Sequence, residues 1–427
     1  MDDRKNTPGI ALGNAFVLVS VAALTLVLTA SLLARVGMPF AASYTVGIIA
    51  CILGTLTISY EGRTRIALPS PAITTWLVYE EIIAHGRTWQ EMLGIALVIS
   101  LLGAILMRTT YADALTRALP PVVRTGLVLG LGLSMLTAAA LCARILLPSP
   151  WALTMSGTLS DPLTYYTLVG ILLVLLLHAR QICVALPLGM IVISVLTWAE
   201  GFWEIPAAPF FAPDIISLPF VLMLPQTDAF LAAGLGLTLL LALMIEGTAV
   251  LEAETERMVQ ARRPLARLFA VSTGAAIIGS FPLTIAPISA ALPAEGAERR
   301  IAGIPLTAGI AALLLAFLLP CAPLMQALSD FPAVPAIALA VMGLLLLMRG
   351  IQMLKSTAEI TLRESSVIAV FLLSAYDIKT GMAAALLTWT LFTAACGERI
   401  PRAAAVLTAL VFLFVLLKWF IWGAFSL

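Results

Sequence analysis

One carboxylate, Glu246, lies well inside an apolar stretch of the sequence, Ala229–Leu251. A charged side chain in the middle of a membrane costs at least about 2.5–3.5 kcal/mol, so such residues usually bind a substrate or carry a proton. A carboxyl group in this setting can take up and release a proton, which is the chemistry of proton-coupled transport. The alternative is that Glu246 is a helix-end residue that belongs with the acidic run Glu252, Glu254 and Glu256.

Two further segments, Ala67–Thr75 and Gly279–Ser289, combine hydroxyl side chains with two prolines each. A proline removes a backbone donor and clashes with the preceding turn, so neither pair fits inside a regular helix. We predict that each segment is a short extended piece leading into a half-helix whose first amides are unpaired. A loop or a kinked helix is the alternative. The hydroxyl residues near these openings are Ser70, Thr74, Thr284 and Ser289.

The elements that hold these residues are predicted to be membrane helices. Of the 427 residues, 61% are hydrophobic and only 11% are charged. The apolar stretches are mostly about 16–23 residues long, the length at which a helix crosses the hydrocarbon core of a membrane. Lipid offers no partners to backbone amides, so repeated spans indicate a helical bundle, and the Leu- and Ala-rich composition argues against a β-barrel. We predict an all-α polytopic membrane protein.

Fourteen spans are predicted, seven in each half of the chain. Those of the first half are Gly13–Leu33, Phe40–Ser59, Ile66–Ile83, Met92–Met107, Val122–Ala143, Leu163–Leu177 and Ile182–Trp198. Those of the second half are Ala229–Leu251, Leu268–Ile278, Pro282–Leu292, Ile304–Leu319, Val334–Met348, Ser366–Ala375 and Gly381–Cys396. A last apolar stretch, Ala403–Phe425, either crosses the membrane or lies along its surface.

The distribution of basic residues predicts the orientation. With a cytoplasmic N-terminus, only Arg35, Arg87, Arg144 and Lys379 fall on the outer side, and most of the 24 Lys and Arg residues fall inside. We therefore predict a protein of the inner (cytoplasmic) membrane. An odd number of spans gives the two halves opposite orientations, and such inverted repeats place a substrate site near the membrane midplane.

Other chemistries find little support in the sequence. The only histidines are His85 and His178, and the five cysteines form no CxxC pair. We expect no metal site, no cofactor and no catalytic residues. A membrane-embedded enzyme or lipid-handling protein is an alternative to a transporter. The formal net charge of +1 gives no reason to expect a nucleic-acid partner.

Several runs of residues resemble a known family. They are Arg87–Gly94, Gly126–Met135, His178–Gly189, Gly279–Ala291 and Tyr376–Ile378. In order and outline they are similar to motifs of the AzgA-type purine (hypoxanthine/guanine) permeases, in the nucleobase–cation symporter (xanthine/uracil permease) superfamily. The resemblance covers about residues 13–396.

The resemblance implies a fold and an activity. The fold has a core domain and a gate domain, with helices 3 and 10 broken by short extended segments. The implied divisions are a cytoplasmic N-terminus (1–12), core helices 1–4 (13–108), gate helices 5–7 (109–203), core helices 8–11 with the following span (204–350), the last gate helices (351–398) and a C-terminal hydrophobic segment (399–427). The implied activity is secondary active transport of a purine nucleobase by proton symport. The implied partners are the small-molecule substrate, the proton and membrane lipid. Relatives with this fold also suggest a homodimer.

The resemblance also implies site residues, and it departs from the family at some of them. Ile288 stands where relatives carry a second carboxylate, and Thr74 replaces an asparagine. In the eighth predicted span, the pair Gly247-Thr248 aligns with a Gly-Thr pair of the family. This alignment puts Met244 at the position of the family's aspartate, about 200° around the helix from Glu246. Either the register shifts beside this pair, or Glu246 is not the family's carboxylate.

We predict six substrate-binding residues, of which Glu246 also carries the proton. They are Ser70, Thr74, Glu246, Thr248, Thr284 and Ser289. Loss of the helix 10 carboxylate leaves open a second substrate class, a small organic or inorganic anion carried on the same fold.

Charged residues also stand near two predicted helix ends. Glu80 and Glu81 close the third span, near Arg87, and are expected to lie at the membrane interface. Asp377 and Lys379 lie on the outer side between the last two predicted helices, where an ion pair or a loop cap is expected.

Overall fold

A computed structural model describes most of the chain. The described residues are 8–60, 62–109, 111–147, 155–156, 159–180, 182, 184–213, 215, 217–223, 229–254, 262–291, 300–355, 360–374 and 377–423. Parts of some predictions lie outside them, namely the segment before Pro8, Glu256, Leu292, Tyr376 and the residues after Gly423.

The first half is mostly helical. Its elements are α1 (Pro8–Ala34), α2 (Phe40–Ser59), β1 (Ala67–Pro69), α3 (Pro71–Trp76), a π-helix (Leu77–Ala84), α4 (Trp89–Leu106), α5 (Tyr111–Ala118), α6 (Pro121–Cys142), β2 (Leu146–Leu147), β3 (Met155–Ser156), α7 (Pro162–Ala179) and α8 (Ala185–Ala199).

The second half repeats the pattern of long helices around one short strand. Its elements are α9 (Ala229–Glu254), α10 (Arg262–Ile277), β4 (Leu283–Ile285), α11 (Ile288–Ala291), β5 (Arg300–Ile301), β6 (Ile304–Pro305), α12 (Leu306–Leu318), α13 (Ala322–Asp330), α14 (Ala333–Lys355), α15 (Leu362–Leu373), α16 (Ile378–Ala395) and α17 (Arg402–Gly423).

Within the described residues, nine helices are long and apolar enough to cross a membrane. Most coincide with a predicted span to within a few residues at their ends. The predicted Ile304–Leu319 is continued through α13 as one apolar stretch to Asp330, and α14 runs past the predicted Met348 to Lys355. The remaining predicted spans fall on shorter or interrupted elements, among them α8, α10 and α15. A helical, multi-pass membrane protein is thus confirmed, and the count of fourteen stays a prediction.

The two proline-containing segments are extended and lie against each other. Strand β1 pairs with β4 in an antiparallel ladder, with Leu68 opposite Thr284 and Pro69 opposite Leu283. Both strands are buried. Each strand is followed within three residues by a short helix, α3 or α11. A segment from each half of the chain therefore meets its counterpart in the interior.

The helices pack in two groups around this pair. In one group α1, α2, α4, α10 and α12 contact one another, and in the other α6 contacts α14 and α15, while α7 contacts α8 and α14. The contact between α6 and α14 is close because both helices carry glycine there. A Cβ atom on Gly132 would lie 2.8 Å from the Leu347 amide nitrogen, which leaves no room for a side chain.

Helix α17 is part of the bundle. It packs against α16, where the hydroxyls of Thr390 and Thr408 are 3.1 Å apart, and against α9. Phe414 of α17 occupies the space above Gly234, where a Cβ atom would lie 2.6 Å from its ring.

One residue near a predicted helix end is more buried than its neighbours in the sequence suggest. The side chain of Glu81 is only 1% exposed, and its position at the membrane interface stays a prediction. It belongs to the π-helix, whose wider turn changes the direction in which side chains point relative to an α-helix. At the start of α16, Asp377 caps the helix, and Lys379 forms an ion pair with Glu81, a partner that the sequence did not indicate.

Candidate functional site

The predicted site centres on Glu246, which is completely buried in α9. Its Oε1 atom accepts a hydrogen bond from the Ser70 hydroxyl at 3.1 Å. Its Oε2 atom has no hydrogen-bond partner among the described residues. Because α9 continues to Glu254, Glu246 is not a helix-end residue, and that alternative is wrong.

Ser70 is held in place by the way α3 begins. It is the N-cap residue, and its Oγ atom accepts a hydrogen bond from the Ile73 amide at 3.3 Å. Serine is a preferred N-cap, and the proline that follows it fits the first helical position because that position needs no amide donor. The same hydroxyl that caps α3 therefore also contacts the buried carboxylate.

The contact with Ser70 shows which of the two side chains, Met244 or Glu246, reaches the segment that joins β1 to α3. Met244 and Glu246 are both buried in α9, with Met244 only 2% exposed. It is the Glu246 carboxylate that reaches the junction between β1 and α3. The sequence alignment alone placed Met244 there.

The other predicted residues differ in how their hydroxyls are used. The Thr284 hydroxyl, in β4, is buried and has no partner among the described residues. The Thr248 hydroxyl donates to the Ile245 carbonyl at 3.0 Å, and Ser289 Oγ accepts from the Ile66 amide at 3.1 Å. Thr74 is buried in the first turns of α3. Glu246 Oε2 and the Thr284 hydroxyl are thus the two polar atoms of this set that are buried without a hydrogen-bond partner among the described residues.

A cavity of about 870 Å³ approaches the site from one side. Its wall includes Pro71 and Ala72, the first two residues of α3, next to Ser70. The remaining wall comes from the C-terminal parts of α1, α6 and α13, the first turn of α7, the π-helix, Phe202, and the start of α14 with the two residues before it. Arg144 and Asp161 line it and form an ion pair at 3.4 Å.

A contact between helices lies one turn beyond Glu246 on α9. The Arg349 side chain of α14 donates from Nε to the Ala249 carbonyl at 2.8 Å. This bond joins α9 to α14 near the end of α9, where the sequence analysis had assigned no role to Arg349.

The position at which relatives are expected to carry a second carboxylate holds no carboxylate here. Ile288 is 7% exposed at the start of α11, so an apolar side chain fills that position. Among the predicted site residues, Glu246 is then the one ionisable group.

Comparison with known proteins supports a transporter. No family model matches the chain. It is 27% identical over 333 residues to the guanine/hypoxanthine permease PbuO of Bacillus subtilis, which covers 74% of this chain and 76% of that protein. This chain is a divergent relative of the nucleobase permeases. It is also 28% identical over 213 residues to the putative permease MJ0326 of Methanocaldococcus jannaschii, and this match spans 48% of that protein.

Solved structures agree on the fold. The transmembrane domain of the cyanobacterial bicarbonate transporter BicA matches with a TM-score of 0.58 at 17% identity, covering 87% of this chain and 96% of that domain. The structure of SLC26A9 matches with a TM-score of 0.55 at 11% identity, covering 90% of this chain and 65% of that one. This permease relative therefore has the fold of these membrane transporters.

Proposed function

We propose that this protein moves a purine nucleobase across the cytoplasmic membrane by proton symport. The observation that carries the proposal is the buried Glu246 carboxylate, which contacts Ser70 through one oxygen and has no partner for the other among the described residues. The permease PbuO, named for guanine and hypoxanthine, supports the choice of substrate.

The chemistry follows from the two oxygens of Glu246. A carboxylate oxygen accepts a hydrogen bond from a ring N–H of a base, and this bond is charge-assisted when the acid is ionised. When a proton occupies the same group, the carboxyl can donate instead, so the contact with the base changes during the cycle. Ser70 fixes the orientation of the group, and the hydroxyls of Thr284 and Thr74 supply neutral contacts.

The architecture we propose is a fourteen-helix inverted repeat with a core and a gate. The antiparallel pairing of β1 with β4 supports it, because an antiparallel pair has local two-fold symmetry and its members come from opposite halves of the chain. In this arrangement β1–α3 and β4–α11 are the broken third and tenth helices. The N-terminus lies in the cytoplasm, and the cavity opens to the outside.

A small anion is the second candidate substrate. The structural relatives named as a bicarbonate transporter and as an anion transporter favour it, as does Ile288 in place of a carboxylate. Against it stands the charge of Glu246, because a buried carboxylate repels an anion unless a proton neutralises it first. Among the predicted site residues no basic side chain offsets this charge.

Uptake into proteoliposomes distinguishes the two. The purified protein is reconstituted, an inward proton gradient is imposed, and uptake of labelled hypoxanthine, guanine, bicarbonate and sulfate is compared with empty vesicles. We expect accumulation of a purine that stops when a protonophore removes the gradient. Accumulation of an anion without any purine uptake would overturn the nucleobase proposal and favour the second candidate.

A thermal-shift measurement tests binding without transport. A ligand at about 100 times its Kd stabilises the folded state by roughly 2.7 kcal/mol. We expect hypoxanthine or guanine to raise the melting temperature of the purified protein, and sulfate at the same ionic strength to leave it unchanged.

A further inference from the structure

A second group of buried charges lies apart from Glu246. The Lys379 ammonium group is 2.6 Å from Glu81 Oε1, and Arg87 Nε is 3.3 Å from Glu81 Oε2. The three side chains are 7%, 5% and 1% exposed for Lys379, Arg87 and Glu81. Burying charges is costly, so a buried ion pair is weak evidence for stability, and its use as a switch is better attested.

The cluster joins two different parts of the bundle. Glu81 and Arg87 belong to the continuous stretch that runs from Ser70 through α3 and the π-helix toward α4. Lys379 lies in the first turn of α16, which packs against α15 and α17. The ion pair between Glu81 and Lys379 therefore connects residues that are 298 positions apart.

A second contact repeats this connection. The Trp76 indole N–H donates to Asp377 Oδ1 at 3.3 Å, and the same carboxylate caps α16. Phe414 of α17, seated on Gly234 of α9, lines the small pocket beside the cluster. The last residue of α3 and the middle of the π-helix are thus joined to the start of α16 by a hydrogen bond and an ion pair.

The stretch that carries these contacts also forms the wall of the large cavity. Trp76 and Tyr79 line the cavity, as do Pro71 and Ala72 next to Ser70. Residues of α6, including Ser134, line the same cavity. A movement of this stretch relative to α6 and α16 would change the width of the cavity.

We propose that the Glu81–Lys379 ion pair is a latch that holds the α3–π-helix stretch against α16 and keeps the cavity open. This inference rests on the proposed function, since a transporter must alternate between arrangements that expose its site to opposite sides. An ion pair across two packed groups favours one arrangement because its charges lose their partner in the other.

The cluster offers a variant that breaks the latch and a matched control that does not. Lys379→Met removes the contact with α16 and leaves Glu81 paired with Arg87, so the remaining buried charges still balance. Arg87→Met removes the partner on the same stretch and leaves Glu81 paired with Lys379. Trp76→Phe breaks the second contact without leaving any charge unpaired.

The natural Cys142, which lines the cavity, reports whether the cavity is open. Each full-length variant is reconstituted without substrate and treated with a membrane-impermeant maleimide, and Cys142 modification is followed by peptide mass spectrometry. We expect the labelling rate to fall by up to about tenfold in Lys379→Met, because one charge-assisted hydrogen bond changes the equilibrium between open and closed cavity by at least that factor, and to fall less in Trp76→Phe. Arg87→Met should label at the rate of the unchanged protein.

Two results would overturn the latch. One is an unchanged or faster rate in both Lys379→Met and Trp76→Phe, with at least one of them keeping the melting temperature of the unchanged protein. The other is an equal fall in Arg87→Met, which would mean that any loss of charge closes the cavity. Because the labelling needs no substrate, failure of purine uptake would overturn the nucleobase proposal and leave this measurement intact.

Discussion

Replacing Glu246 by glutamine tests the proton-coupling role directly. Glutamine keeps the shape of the side chain, and its amide oxygen can still accept the hydrogen bond that Ser70 donates at 3.1 Å. The amide NH₂ replaces Oε2, which has no described partner, so a buried group with two N–H donors is added at a cost of about 1–3 kcal/mol. The removal of an ionisable buried group offsets part of that cost, so we expect the Glu246→Gln protein to fold.

The effect on transport is larger and can be given a size. One coupled proton at a pH difference of one unit supports about a tenfold accumulation of a neutral base, or about 1.4 kcal/mol. Glu246→Gln cannot carry that proton, so the accumulation ratio should fall to about one while exchange of internal for external base continues. If the base donates a hydrogen bond to the ionised acid, the loss of that bond weakens affinity roughly 10- to 150-fold.

The assay is purine uptake into proteoliposomes with and without a proton gradient, beside thermal-shift titration for affinity. Glu204→Gln, which changes an exposed carboxylate, is the matched control and should behave as the unchanged protein. Full gradient-driven accumulation by the Gln variant would show that Glu246 is a bystander. The transport site would then have to be built on the face of α9 that carries Met244.

Further predictions concern the surroundings of the site. Ser70→Ala removes both the cap of α3 and the contact with Glu246, and thermal unfolding should show a loss of about 0.5–2 kcal/mol. Thr284→Val, which removes a buried hydroxyl with no described partner, should keep stability but weaken purine affinity by about 0.5–1.5 kcal/mol in thermal-shift titrations. Gly132→Ala should lower the free energy of unfolding by about 1–3 kcal/mol, whereas Gly274→Ala, which faces open space, should leave it nearly unchanged. A cysteine at Ser329, which lines the cavity, should react with an impermeant thiol reagent from outside; labelling only from inside would reverse the proposed orientation.

The class of the protein and most of its long helices were predictable from local patterns. Hydropathy depends on composition over about twenty residues, so α1, α2, α6 and α9 could be placed to within a few residues. The extended segments at β1 and β4 were predictable for a similar reason, because the effect of proline on a helix is local.

The partners of these elements were not predictable from the sequence. Leu68 and Thr284 are far apart in the chain, and although the two segments correspond in an inverted repeat, no pattern in either one specifies the register in which they pair. Glu81 was expected at an interface because it stands near the end of an apolar stretch. Its burial depends on the π-helix and on Lys379, which comes from the other half of the chain.

The sequence by itself determined that this protein is a helical membrane protein related to nucleobase permeases, with one carboxylate inside a span and two segments that cannot be regular helices. Only the tertiary structure decided which residues meet. It brought Ser70 to Glu246 across 176 positions and paired β1 with β4. The reason is physical: a residue's hydrophobicity and backbone preferences act over a few turns, whereas the partner of a buried polar group is chosen by how the helices pack around it.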